Sequence, residues 1–373
     1  MPPRRRLLHP LWLIASLPLY IGWRLIPSLA LGPVGTCAAI VLLAGACILV
    51  PLSVRRTDRL AWAGLTALGF FSTLFVMTLL RDLFLSVAWF PLTRLQFAAL
   101  LVPSARCALA LTALTTIVGL LIARRPRLVE VEIPIARLPM PLHGFSIAQI
   151  SDLHVGPTIR RGFVERLVQR VNGLEADMIA VTGDLVDGPV PQLSAHTAPL
   201  ANLIARHGAY FVTGNHEYYS GESAWTSEIR RLGMTVLKNQ HVVLKHDGAL
   251  LVVAGVDDIG AHRFDPAQRS DPAAALRGAP VEAGAKILLA HQPSSAPAAA
   301  RAGFDLQISG HTHGGQFWPW NHFVRYFQPF TAGLHRLKSL WVYVSRGTGY
   351  WGPPNRFGVP SEITRIRLVN AAA

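Results

Sequence analysis

Four stretches near the N-terminus, roughly Leu11 to Leu31, Val34 to Leu52, Leu60 to Leu80 and Phe97 to Ala123, are apolar over about the 20 residues that a helix needs to cross a bilayer. Nothing else in the chain restricts its fold as sharply. Inside lipid every backbone N–H and C=O must be satisfied within the segment itself, so runs of this length are expected as helices. A cleaved leader would account for one of them, not for four. Arginines punctuate the series: Arg4, Arg5 and Arg6 before the first run, "RRTDR" (Arg55 to Arg59) between the second and third, and "ARRPR" (Ala123 to Arg127) after the fourth. Positive loops mark the cytoplasmic side, and with four spans all three clusters fall there. The N-terminus and everything after the fourth run are therefore expected in the cytoplasm.

One region complicates the count. In "RDLFLSVAWFPLTRLQF", Arg81, Asp82, Pro91 and Arg94 interrupt apolar sequence that either extends the third run as far as Phe90 or conceals a fifth span. A fifth span would export the C-terminal part and leave "ARRPR" outside, against the charge rule. Arg24, Arg81 and Arg106 lie toward the ends of their segments, where long side chains snorkel to the interface.

Beyond "ARRPRLVEVEIP" the character changes to short apolar stretches separated by Gly, Pro, Asp and His, as in an α/β domain. The division expected is a transmembrane domain over 1–127, a linker over 128–144 and a second domain over 145–373. The first 130 residues carry net +10 of the chain's +14. The basicity belongs to the membrane part, and without a Lys/Arg block interleaved with aromatics no nucleic-acid partner is expected. Cys37, Cys47 and Cys107 all sit in apolar segments with no paired spacing, so no disulfide framework is implied.

From Phe145 onward, strand-like runs end in polar donors. "FSIAQISDLH" ends on Asp152 and His154, "DMIAVTGDLVDG" on Asp184 and Asp187, "AYFVTGNHE" on Asn215 and His216, "KILLAHQP" on His291, and "ISGHTHGG" on His311 and His313. A helix is expected between the first two, over "RRGFVERLVQRVNGL", closing on Asn172 and Gly173. Singly, each residue has an ordinary reading: a cap at Asp152, an Asx-turn at Asp184 and Asp187, turn chemistry at Asn215, a satisfied polar His291. Five strand ends behaving alike suit an open α/β sheet, whose functional groups collect beyond the carboxyl ends of the strands. His311 and His313, two apart at a strand end, can face one way, and Gly314 and Gly315 are expected to leave room for what they hold. Carboxylate, amide oxygen and imidazole without thiolate suit Mn, Fe, Zn or Mg. Seven ligands exceed one ion's needs, which favours two divalent ions sharing a carboxylate, the known clamp for in-line attack on phosphorus.

In order and spacing, "SDLH", "GDLVD", "GNHE", "LAHQP" and "GHTHGG" resemble the calcineurin-like metallophosphoesterases. The tail "LWVYVSRGTGYWGPPNRFGVPSEITRIRL" resembles the bacterial membrane-anchored, phosphodiesterase-like branch with a four-helix N-terminal part. The resemblance implies an N-terminal α-helical transmembrane bundle plus an α/β metallophosphoesterase domain, a two-sheet αββα sandwich, in the bacterial inner membrane. It implies Asp152, His154 and His313 on one ion, Asn215, His291 and His311 on the other, and Asp184 bridging them. His216 would face the leaving-group oxygen, oriented by Asp187, while a hydroxide between the ions attacks phosphorus.

The substrate is less constrained. "QFWPWNHFVRYFQPF" carries seven aromatic residues beside the last motif, which suits either a membrane interface or the filling of a core. A phosphate or pyrophosphate ester of a membrane lipid or nucleotide-linked glycolipid is the leading expectation. Tethered hydrolysis of soluble nucleotides is the alternative within the enzyme class, and a metal-stabilised sensor or scaffold the alternative outside it. Arg160, Arg161 and Arg356 are read as solvated or helix-end residues rather than phosphate contacts.

Overall fold

The computed structural model describes residues 8–53 and 59–371. Arg4 to Arg6, Arg55 and Arg56 lie outside them. The chain forms two compact units, Met1–Leu121 with Gly352–Phe357, and Ile122–Trp351 with Gly358–Ala373.

The first unit is built on α1 (Leu8–Leu29), α2 (Gly32–Ser53), α3 (Arg59–Ala88) and α4 (Arg94–Ala123). By length and hydropathy α2, α3 from Leu60, and α4 are each able to cross a membrane, and α1 has 22 residues. The ambiguous region after Leu80 is no separate span: α3 runs on to Ala88 as one 30-residue helix. Ile21, Leu25, Ala46, Phe71, Leu74 and Ala105 form its core. Hydroxyls of Thr73, Thr78, Thr112 and Thr115 return to carbonyls four residues earlier, so these polar groups are satisfied within their own helices.

Two of the arginines do not snorkel. Arg24 of α1 grips Asp82 of α3 with Nε to Oδ2 at 2.7 Å and Nη2 to Oδ1 at 2.9 Å, and the Tyr20 hydroxyl donates to the same carboxylate at 2.5 Å. Arg81 is buried and donates to the hydroxyls of Ser28 and Ser104. In an apolar unit a carboxylate within reach is a better partner than distant water, and pairing replaces the stretch toward the interface. Arg106 is exposed. Arg356, read from sequence as solvated, is fully buried in this same unit, where its N–H donates to the Gly119 carbonyl.

The second unit holds two six-stranded sheets. Its strands are β1 (Arg127–Ala136), β2 (Ser146–Ile150), β3 (Met178–Val181), β4 (Ala209–Phe211), β5 (Thr235–Val236), β6 (Gln240–His246), β7 (Ala249–Gly255), β8 (Ala285–Leu289), β9 (Leu306–Ser309), β10 (Gly333–Leu337), β11 (Leu340–Val344) and β12 (Glu362–Ala371). The first sheet runs β1-β12-β2-β3-β4-β5 and the second β10-β11-β9-β8-β7-β6. Its helices are α5 (Arg161–Asn172), α6 (Val190–Thr197), α7 (Asn215–Ser220), α8 (Glu222–Arg231), α9 (Pro272–Ala275) and α10 (Ala296–Ala302). Strand alternation sorts the core into three layers. Ile147, Met178 and Ala180 meet Leu251, Val253, Ile287 and Ile308 between the sheets. Ala148, Ile150, Ile179 and Val181 face the other way, onto Val164, Leu167, Val168 and Trp225 of α5 and α8. Ala254, Leu288 and Val342 pack on Ala275, Ala296 and Ala299 of α9 and α10. This is the helix–sheet–sheet–helix order expected.

Residues 128–144 are not a linker. "RLVEVEIPIA" alternates apolar with Glu, a strand period, and β1 pairs in parallel with all ten residues of β12, from Arg127 opposite Glu362 to Ala136 opposite Ala371. As the edge strand it tolerates Pro134, which has no N–H to give.

Removing the carboxylate should leave Arg24 and Arg81 facing each other uncompensated. Asp82→Asn is expected to lower stability by about 1–3 kcal/mol, and the double variant with Arg24→Gln to recover part of that loss, as read by thermal unfolding of the full chain in detergent.

Candidate metal centre

Each expected ligand stands just beyond a strand end, as the sheet rule requires. Asp152 and His154 follow β2, Asp184 and Asp187 follow β3, Asn215 and His216 open α7 after β4, His291 follows β8, and His311 and His313 follow β9. The two sheets bring these ends together. Donor atoms of Asp152, His154 and His313 lie within 4.8 Å of one another, as do those of Asp184, His291 and His311, and those of His154, Asp184 and His216.

Hydrogen bonds fix which nitrogen of His291 and of His154 faces inward. His291 Nδ1 lies 2.8 Å from the Thr182 carbonyl, which can only accept, so the proton sits there. Its Nε2 is left with a lone pair, 3.1 Å from Asp184 Oδ2 and 3.2 Å from His311 Nδ1. His154 places Nδ1 2.9 Å from Asp187 Oδ1 and leaves Nε2 3.1 Å from His313 Nε2. Imidazole nitrogens facing one another at this separation are what a shared cation resolves, and a carboxylate or carbonyl behind the ring is the usual support for a ligand histidine.

Two further observations test the fit. Asn215 Oδ1 is buried and accepts no hydrogen bond, an expensive condition for an amide oxygen unless it serves as a ligand. Burial above all, with Asp184 adding to it, pushes the Asp152 carboxyl above the ordinary range, and a cation beside it would reverse that. The donor set therefore fits two hard or borderline divalent ions.

The backbone shows what the side-chain types could not. Asp152, His154, Asp184, His311 and His313 all have φ between 51° and 71°, the left-handed region. Non-glycine residues enter it uncommonly, and five of seven candidate ligands doing so marks a site held in shape by its surroundings. His311 and His313 thus do not converge by strand alternation: β9 stops at Ser309, and left-handed turns send the two rings into different clusters. Gly314 and Gly315 have a different role as well. A Cβ on Gly315 would strike the backbone of Asn321, and one on Gly314 would press on Arg346 and Val359. The glycines that matter to the ligands precede them: a Cβ on Gly214 would run into Asp184, and one on Gly310 into Ser151 and Asp152.

At the rim, His216 Nδ1 meets Asp187 Oδ1 at 2.6 Å while Nε2 stands 4.0 Å from Asp184 Oδ2. Burial opposes a charged ring, but the hydrogen bond to Asp187 and the charges of Asp184 and Asp187 prevail and lift the His216 pKa to about 9. Burial would likewise raise Asp187, yet the charge and hydrogen bond of His154 and the bond to His216 bring it down to about 2. Asp187 supports His154 as much as His216, which the sequence did not suggest.

Sequence reasoning also passed over Glu217. Fully buried, its carboxylate accepts from Asp184 N–H at 3.0 Å, Leu185 N–H at 2.7 Å and Gly214 N–H at 2.7 Å, tying the β3 and β4 loops together. The available signal was an acid inside "GNHE", one residue past the histidine. Tyr219 and Trp351 stand exposed with ring centroids 5.3 and 5.8 Å from His216. The aromatic segment divides: Phe317 is buried and Phe330 packs on the core beside α10, whereas Phe323, Tyr326 and Phe327 are exposed. Arg161 is engaged by Glu165, and Arg160 by the Pro157 carbonyl.

Residues 145–315 match the family model for calcineurin-like phosphoesterases. The chain is 39% identical over 273 residues to a transmembrane protein with metallophosphoesterase domain from Danio rerio, covering 71% of this chain and 62% of that one. It is 37% identical over 247 residues to a metallophosphoesterase of Helicobacter pylori, covering 66% and 64%. A metallophosphoesterase of Aquifex aeolicus is 34% identical over 225 residues, covering 60% of this chain and 84% of the relative. The chain thus spans less than two thirds of the Danio and Helicobacter relatives.

Replacing the three-way acceptor at Glu217 by an amide turns a donor toward at least one of the three buried N–H groups and leaves it unmet. Glu217→Gln is expected to destabilise the fold by about 1–3 kcal/mol in thermal unfolding, and Gly310→Ala to cut the divalent metal retained after dialysis, measured by elemental analysis, in protein that still folds.

Proposed function

Because this chain belongs to the calcineurin-like metallophosphoesterases, hydrolases of phosphoester bonds, we propose that it cleaves a phosphate or pyrophosphate ester of a membrane lipid or nucleotide-linked glycolipid. The observation that carries the catalytic part is the His216–Asp187 pair beside the two donor clusters. A centre that only bound metal would have no need of a charged imidazole aimed into it.

We assign Asp152, His154 and His313 to one ion, Asn215, His291 and His311 to the other, and Asp184 to both. Two divalent cations in these places would neutralise phosphoryl oxygens and supply a nucleophile from water at neutral pH. The chain's own residues do the rest. Asp187 accepts from His216 Nδ1 and favours the charged ring, whose Nε2–H can give a proton to the departing oxygen. Glu217 and the backbone N–H groups of His216 and His311, which donate to Asp184 and Asp152, hold the two carboxylates in register. A preorganised set of this kind needs little rearrangement as charge develops.

The lipid reading rests on strand register. Arg127 pairs with Glu362 and Gln149 with Thr364, so the end of the sheet at which the ligands cluster is also the end where β1 begins. Two strand spacings, about 10 Å, separate β1 from β2, and β1 continues directly from α4. That register supports a substrate drawn from the bilayer, and exposed Phe323, Tyr326 and Phe327 suit an interface. The arginines after α4 support a catalytic unit on the cytoplasmic side, at the inner membrane of a bacterium. A second reading, hydrolysis of soluble nucleotides, draws on Tyr219 and Trp351, which could stack on a base beside His216.

The test is turnover by the metal-reconstituted full chain in detergent of an aryl phosphodiester, soluble nucleotides and nucleotide-linked glycolipids. Asp184→Ala should lose both metal and activity. His216→Ala should keep its metal and lose about 10²- to 10⁴-fold in kcat; loss of metal instead would make His216 a ligand. Turnover restricted to soluble esters would reject the lipid reading.

A further inference from the structure

Where β1 and α5 approach each other the second unit contains a cleft of about 830 Å³ lined by Arg124, Arg125, Arg127, Arg166 and Arg170. Its apolar wall is Phe163, Leu167 and Ile363. Arg170 Nη1 donates to the Pro126 carbonyl at 2.6 Å and ties the arginine-bearing loop to α5. Among the described residues no carboxylate pairs with Arg124, Arg125, Arg127 or Arg166. Glu165 and Glu130, the acids nearest to them in sequence, are taken by Arg161 at 2.7 Å and Arg365 at 3.7 Å. Five guanidinium groups around one opening repel one another unless an anion joins them, and their planar forks suit phosphate oxygens.

We propose that this cleft binds the phosphate headgroup of an anionic phospholipid in the leaflet from which the chain emerges. Chain continuity supplies the occupant. Arg124 directly follows Ala123, the last residue of α4, and even fully extended the four residues to Arg127 reach no farther than roughly 14 Å. Arginines held so close to a bilayer feel its surface potential, and the apolar wall accepts the glycerol and first methylenes. The site is separate from the metal ligands and does not depend on the reaction assigned to them.

Full-length protein in detergent would be titrated with dihexanoyl-phosphatidylglycerol, its phosphatidylcholine counterpart and inorganic phosphate, with binding read by native mass spectrometry. Each arginine near an anionic surface contributes about 5-fold. The variant Arg125→Gln/Arg127→Gln/Arg166→Gln should therefore weaken phosphatidylglycerol binding on the order of 100-fold, while the corresponding Lys variant keeps most of it. If the triple Gln variant fails to fold, Arg166→Gln, on the exposed face of α5, decides at about 5-fold. Unchanged phosphatidylglycerol binding in folded variants would overturn the inference. Equal binding of phosphatidylcholine would do so too, as would displacement of phosphatidylglycerol by equimolar phosphate, which would reveal a free-anion site.

Discussion

Two buried carboxylates side by side are the condition around which the second unit is organised. Asp152 and Asp184 are nearly without solvent contact, and such groups are tolerable only when donors and cations surround them. The fold supplies donors in quantity. The N–H of His311 reaches Asp152, that of His216 reaches Asp184, and Glu217 gathers three more from the loops after β3 and β4. Those bonds join strand ends belonging to both sheets, so the site and the packing between the sheets are one construction. Divalent cations at the two donor clusters would complete what the hydrogen bonds begin.

Much of this could be read from the chain itself. The ligand positions announce themselves because polar donors break apolar strands at their carboxyl ends, a pattern that depends only on strand period and sheet polarity. The layers follow for the same reason: Ile147 and Ala148 are neighbours in sequence and lie in different cores. Less legible were features that depend on partners far away along the chain. The strand character of 128–136 shows in the alternation of "LVEVEIPIA", but its role requires β12, which lies more than 200 residues later. Arg24 resembles a snorkelling side chain until α3 delivers Asp82, 58 residues on. Of the left-handed turns at Asp152, His154 and Asp184, only the last has an adjacent glycine, Gly183, to signal it; tertiary contacts impose the other two. Glu217 was hidden by resemblance to an ordinary helix-start acid.

The division of labour between the glycines makes the same point. Gly314 and Gly315 look reserved for a ligand, yet their neighbours are protein atoms; Gly214 and Gly310, each placed just before a ligand, clear the space in which Asp184 and Asp152 lie. Close packing of one catalytic loop on another, rather than room for substrate, is what removes the side chain there.

The pairing of β1 with β12 has a mechanical meaning. The strand that continues from the last apolar helix is joined to its neighbour by ten residues in parallel register. Tension applied along the axis of β1 would load the row of interstrand hydrogen bonds together, in shear, instead of opening them one at a time. Bilayer undulation or crowding at the surface would be borne by this lap joint. The loops behind β2, β3 and β4, where the ligands stand, would lie beyond the first line of strain.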